Sequence, residues 1–225
     1  MKKTVILSTN DNESYFSYLN YTRRAWNFFG WDTLTFYLGS KEIVQDEKNK
    51  VVKLAQSKQF RPETLVQTSR LFGHKYCDGL LMTSDVDMIP LSNYWHPSTG
   101  DITCYGHDLT HYQQIPICYI AMDSTQWNKI IPEDSLEDLL GKYPCAISDD
   151  WMTWWTTDQA IITERLNKVS YKRIDRGFTK GLAKGRIDKV RWDETLLNSD
   201  IKVDCHLPRV FNKEQTESVF DLIKE

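Results

Sequence analysis

Residues 4–87 alternate between two kinds of apolar pattern, and that alternation constrains the fold more than any other feature. Thr4-Val5-Ile6-Leu7-Ser8-Thr9 is a short apolar run, the pattern of a strand buried on both faces. Asn10-Asp11-Asn12 break it. From Glu13 to Phe29 the apolar residues Phe16, Leu19, Ala25 and Phe28 recur at helical spacing, and Gly30 follows as a C-terminal cap. Leu34-Thr35-Phe36-Tyr37-Leu38 reads as a second strand and Val51-Val52-Lys53-Leu54 as a short third one. Pro62 fits the first turn of a helix running to about Tyr76. Leu80-Leu81-Met82 then opens a strand expected to reach Asp87. This order predicts an α/β domain with a mostly parallel central sheet flanked by helices. Ligands of such sheets bind beyond the carboxyl ends of strands, which singles out Ser8-Thr9-Asn10 and Asp85-Val86-Asp87.

The second half is more irregular. Residues 101–106 and 115–122 read as strands, and 124–141 as helix interrupted at Pro132. Ala160 to Leu166 reads as a helix with Thr156 or Thr157 as N-cap and Asp158 in its first turn. Val203 to Pro208 is expected to be a short edge strand, and Lys213 to Glu225 an amphipathic terminal helix. No repeat or low-complexity linker divides the chain. The expectation is one domain over 1–225, with a ligand-binding half (1–100) and a smaller lobe (101–225).

Composition excludes several classes of partner. With 28 basic and 31 acidic residues the net charge is −3, so no bulk positive field points to nucleic acid. No window approaches the roughly 18 apolar residues of a membrane span. Val5-Ile6-Leu7 is too short for a signal-peptide core. The five cysteines are scattered, without a Cys-x-x-Cys pair, which suggests a reducing compartment and a cytoplasmic location. Oligomeric state is not legible.

Chemistry concentrates in three places. Asp85 and Asp87 flank Val86, so an extended backbone would turn both carboxylates to one side. Such a pair is best tolerated around a cation or in water; the two readings are a divalent-metal site and a solvated strand-to-turn junction. An ion held by two carboxylates needs further oxygens, which a nucleoside diphosphate supplies. His206, late in the chain before Pro208, is a candidate third ligand, or else a half-buried histidine making one hydrogen bond. His107 and His111 are spaced by four, but a loop setting favours ordinary polar residues over a zinc pair.

The basic, glycine-spaced segment 172–191 is the second place. It includes Arg176 and Lys184, and is read either as a loop closing over a diphosphate or as a solvated loop. The third is the run from Ser148 to Gln159, with Trp151, Trp154 and Trp155 among Asp149, Asp150 and Asp158. Its tryptophans are either lobe core or a platform for a sugar ring. Asp150 or Asp158 is a candidate general base. The helix dipole is expected to lower the pKa of Asp158.

Together, Val5-Ile6-Leu7-Ser8-Thr9, Asp85-Val86-Asp87 and Thr157-Asp158-Gln159-Ala160-Ile161-Ile162 resemble the GT-A class of nucleotide-sugar glycosyltransferases over roughly residues 4–207. The third stretch is similar to the Asp-Gln helix start of glycogenin-like enzymes. The resemblance implies a Rossmann-like sheet with an acceptor-side lobe. It implies transfer of a sugar from a UDP-sugar to a glycan or glycoconjugate hydroxyl, with Mn2+ or Mg2+. Ser8, Thr9 and Asn10 would lie against the nucleoside and Arg70 against base or phosphates. Asp85 would touch ribose and metal, and Asp87 and His206 would bind the metal. Asp158 and Gln159 would meet the donor sugar, Asp158 acting as base in an inverting enzyme. The glycogenin-like Asn-x-Gly strand and the His-x-x-Gly-x-x-Lys ending are missing, which counts against a retaining mechanism.

Three rivals make different demands. An Asp-x-Asp phosphatase of the haloacid-dehalogenase type would carry its motif after the first strand. A sugar nucleotidyltransferase would carry a glycine-rich basic loop where Asn10-Asp11-Asn12 stand. A carbohydrate-binding module would use the tryptophans and leave Asp85 and Asp87 idle.

Overall fold

The computed structural model describes residues 1–109, 113–179, 182–197 and 202–223. The strands of the first half are β1 (Lys3–Asn10), β2 (Asp32–Leu38), β3 (Asn49–Lys53), β4 (Leu80–Thr83), β5 (Met88–Pro90), β6 (Thr103–Tyr105) and β7 (Ile120–Asp123). Those of the second half are β8 (Lys172–Ile174), β9 (Phe178–Thr179), β10 (Leu182–Ala183), β11 (Arg186–Asp188) and β12 (Asp204–His206). The helices are α1 (Glu13–Phe16), α2 (Leu19–Phe28), α3 (Pro62–Ser69), α4 (Ser124–Ile130) and α5 (Leu136–Leu140), then α6 (Trp151–Trp155), α7 (Thr157–Leu166), α8 (Trp192–Leu197) and α9 (Lys213–Asp221).

A seven-stranded sheet runs β3-β2-β1-β4-β7-β6-β8. The fold is mixed α/β, with a mostly parallel central sheet in which β7 runs against its neighbours. Side-chain alternation divides the core between the two sheet faces. Ile6 and Leu81 pack in one cluster with Leu65, Trp127 and Ile161 from the helices. Their neighbours Val5, Leu7, Leu80 and Met82 pack in a second cluster with Trp26, Trp31 and Trp95. Gly79, at φ +95°, makes the turn into β4; a Cβ there would stand 2.5 Å from the Lys2 carbonyl oxygen. Among the described residues no helix is long and apolar enough to cross a membrane, and all five cysteines are free.

Five local expectations change. The strand expected over 115–122 forms only at Ile120–Asp123. Glu13–Phe29 breaks into α1 and α2, because Tyr18 is drawn into the core, where its hydroxyl donates to the Pro208 carbonyl at 2.6 Å. The helix from Pro62 tightens to a 3₁₀ turn over Arg70–Lys75. The strand after Leu80 stops at Thr83, so Asp85-Val86-Asp87 is a turn, closed by a Met88 N–H to Asp85 carbonyl bond of 3.2 Å. β12 is no edge strand: it is the middle of a second sheet, ordered β11-β12-β5.

That second sheet is anchored by a buried charge cluster. Asp204, fully buried on β12, accepts from Arg176 Nη1 and Nη2 (3.0 Å each) and from Arg186 Nε (3.1 Å) and Nη2 (2.9 Å). Tyr119 Oη donates to the same carboxylate at 3.2 Å. Burial opposes ionisation of Asp204, but the two guanidiniums override it and hold the carboxyl far below its usual range.

Candidate active site

β4 and β1 are parallel, with Thr83 opposite Ile6, and β1 runs on to Asn10. The early stop of β4 opens a space beside Ser8, Thr9 and Asn10. Two long-range bonds bend the chain there: Thr22 Oγ1 donates to the Val86 carbonyl at 2.6 Å, and the Leu207 N–H to the Asp87 carbonyl at 2.8 Å. The result is a cavity of about 580 Å³ at the carboxyl ends of β1 and β4, within the size range of small-molecule sites.

Ser8, Thr9, Asn10, Arg70, Asp85, Asp87, Asp158, Gln159 and His206 all line this cavity, as do Trp154 and Trp155. Residues separated by up to two hundred positions in sequence thus meet. Asp150, Arg176 and Lys184 are not brought to it. Asp150 is exposed and caps α6, its carboxylate accepting from the Thr153 N–H at 2.8 Å. Arg176 is buried against Asp204, and its Nη2 also donates to the Lys184 carbonyl at 3.1 Å; the Lys184 residue is exposed. Trp151 is 61% exposed, so it is neither core nor cavity wall. His107 sits 3.2 Å from the Tyr171 hydroxyl, away from the cavity; His111 lies outside the described residues.

Arg70 organises one half of the site. It is buried on the 3₁₀ turn after α3 and forms ion pairs with Asp85 and, at 2.7 Å, with Asp158 Oδ2. It also donates to the Gln67 and Ser84 carbonyls, both at 3.2 Å. Asp158 is 2% exposed, and its Oδ1 accepts from the Gln159 N–H at 2.8 Å. Its pKa lies above the ordinary carboxylate value, the reverse of the helix-dipole expectation. Burial is the dominant cause, and the neighbouring Asp85 adds to it. Arg70 acts the other way, but its one charge is shared between two acids.

The antiparallel pairing of β12 with β5 builds the other half. It sets His206 opposite Met88 and so beside Asp87. His206 Nε2 lies 3.4 Å from Asp87 Oδ2. Asp188, opposite His206 on β11, has Oδ2 3.9 Å from Nδ1. Burial pushes the Asp87 carboxyl up, but His206 and then Lys189 outweigh it, and its pKa is lowered.

The Asp87–His206 spacing suits two donors sharing one ion. Asp85 is engaged by Arg70, and among the described residues no group of three or more ligand side chains converges on one point. The donor set fits an ion that completes its shell with phosphate oxygens and water, not a closed structural site. Arg209 and Tyr15 also line the cavity, as does Lys189 from the basic segment 172–191. Their signals were proximity to His206, to the Asn10–Asn12 break and to the end of β11.

No protein-family model and no curated protein sequence matches the chain. Solved structures do match, among them two of the glycosyltransferase GlyE of Streptococcus pneumoniae TIGR4, one of them the apo form. Each aligns at a TM-score of 0.57 with 10% identity, covering 100% of this chain and 61% of GlyE. The chain therefore has the fold of these glycosyltransferases while spanning about three-fifths of their length.

Proposed function

We propose that this chain is an inverting, metal-dependent glycosyltransferase of GT-A type. It moves a sugar, of hexose type, from a nucleoside-diphosphate donor with uridine as the expected base. The acceptor is a hydroxyl of a glycan or glycoconjugate. The observation that carries this reading is a single cavity lined by the ends of β1 and β4, by paired acids on one arginine, by an Asp–His pair and by two tryptophans.

Asp87 and His206 would hold the ion, Mn2+ or Mg2+, and Asp85 would join them on leaving Arg70. When bound, the ion would neutralise charge that develops on the departing diphosphate. Ser8, Thr9 and Asn10 offer polar groups to the nucleoside. Trp154 and Trp155 offer indole faces to a sugar ring. Arg61 stacks on Trp154 at 5.4 Å and steadies that wall. Asp158 serves as general base. Each of its oxygens accepts one hydrogen bond from the protein, which leaves lone pairs for an acceptor hydroxyl proton.

Thermal melting tests the donor site. Saturating UDP with Mn2+, at about 100 times its Kd, should add about 2.7 kcal/mol of stability, or roughly 5–10 °C in Tm. EDTA or Asp87→Ala should remove most of that shift. Identical curves with and without UDP in the presence of Mn2+ would sink the reading. A glycan-dependent shift without any nucleotide effect would favour a carbohydrate-binding role instead.

A further inference from the structure

Lys189 follows directly on β11, and its ammonium does not sit where a surface lysine usually does. Nζ lies 2.6 Å from His206 Nε2 and 3.9 Å from Asp87 Oδ2. These are the two atoms proposed above to hold the divalent ion. A lysine kept only to neutralise Asp87 would rest on its oxygens, but this one makes its short contact to an imidazole nitrogen. Only 21% of its side chain is exposed, so water does little to separate these charges.

We infer that Lys189 is an exchangeable cation of the site. Its ammonium holds the place between Asp87 and His206, and it moves onto the diphosphate when a divalent ion and a nucleotide enter together. The inference rests on the donor-site reading above.

Three features support it. An ammonium and a divalent ion cannot share two donor atoms less than 4 Å from each without strong repulsion. A lysine stem has four rotatable carbons, so its charge can swing aside, whereas Arg70 is tied to four acceptors and cannot. There is also somewhere for the charge to go. Arg209 lines the same cavity, is exposed, and has no ion pair among the described residues. An anionic diphosphate entering this cavity would meet Arg209 and the displaced ammonium.

The consequence is a coupling between ion and nucleotide. Mn2+ alone must drive the ammonium into water. With UDP present the ammonium lands on phosphate, so each ligand should tighten the other by the same factor. Removing the ammonium should therefore help the ion while harming the coupling.

Electron paramagnetic resonance titration of Mn2+, with and without UDP, reads both quantities without turnover. In the wild-type protein UDP should tighten Mn2+ by roughly 10- to 100-fold, within the usual range of coupling between sites. In Lys189→Met, Mn2+ alone should bind about tenfold more tightly, since one repelling charge is gone, and the UDP enhancement should shrink to about threefold or less. Lys189→Gln, which keeps a polar tip, should behave alike. Arg209→Gln should weaken UDP but change Mn2+ affinity alone by less than about threefold, because Arg209 does not touch the Asp–His pair. If Lys189→Met leaves Mn2+ affinity unchanged or lower, the exchange is overturned. It is equally overturned if Arg209→Gln tightens Mn2+ as much as Lys189→Met, since the effect is then bulk charge. Wild-type protein that binds no UDP in Mn2+ overturns the donor-site reading itself. Wild-type coupling that survives intact in Lys189→Met overturns this inference alone.

Discussion

Asp158→Asn should lower turnover by about 10²- to 10⁴-fold, the range for losing a positioned general base, while UDP affinity stays within about threefold. Asp158 is buried, lines the cavity and has its pKa raised mainly by that burial. A base must be ionised to act. Activity should therefore fall as pH drops through that raised pKa, and the acid limb of kcat/KM should flatten in the variant. Stability runs differently. A carboxyl whose folded pKa is raised disfavours the folded state once it ionises, so the variant gains something at neutral pH. It also loses an acceptor for Arg70 Nη2 or the Gln159 N–H, worth about 1–3 kcal/mol. A modest fall in Tm with a large fall in turnover is the expected pair. Turnover within about threefold of wild type would make Asp158 a partner of Arg70 and nothing more.

The sheet was legible because it is locally encoded. Val5-Ile6-Leu7 and Leu80-Leu81-Met82 are continuous apolar runs because both sheet faces are covered, and their alternate members do enter different clusters. The Asp85–Asp87 turn was not legible. Nothing in the triplet departs from an extended pattern; the bend comes from Thr22 and Leu207, which bond the Val86 and Asp87 carbonyls from far along the chain. Composition alone could not separate the tryptophans either. Trp26, Trp31, Trp95 and Trp127 are fully buried, whereas Trp154 and Trp155 line the cavity.

Charge gave the least reliable guide within residues 172–191. Glycine spacing and basic side chains suggested a loop over a diphosphate, with Arg176 and Lys184 as its contacts. Asp204, distant in sequence, claims Arg176 and Arg186 instead. Lys189 reaches the cavity because β11 lies parallel to β12 with Asp188 beside His206. Such pairings are set by strand register between distant segments, and residue spacing does not report them.

Asp204→Asn should be the most destabilising single change outside the cavity, by about 3–5 kcal/mol, the cost of breaking a buried ion pair from one side. Two guanidiniums would remain, that of Arg176 packed over Tyr94 and Trp95 at 5.5 and 5.7 Å from their ring centres, and an amide would turn donors toward them. For a chain of this size that corresponds to a fall in Tm of roughly 6–20 °C. The pH dependence has a definite sign. The Asp204 pKa is depressed in the fold, so its contribution is complete above the unfolded value of about 3.9 and is lost as pH falls below it. Urea midpoints should thus fall on acidification in the wild type and change less in the variant. If the ion cluster serves stability alone, replacing Arg176, Arg186 and Asp204 together by apolar residues should recover most of the loss. The same strand that carries Asp204 carries His206, and the strand that carries Arg186 leads into Asp188 and Lys189. A repacked triple variant that melts normally but binds Mn2+ weakly would show that the buried charges also set the register of Asp87 and His206.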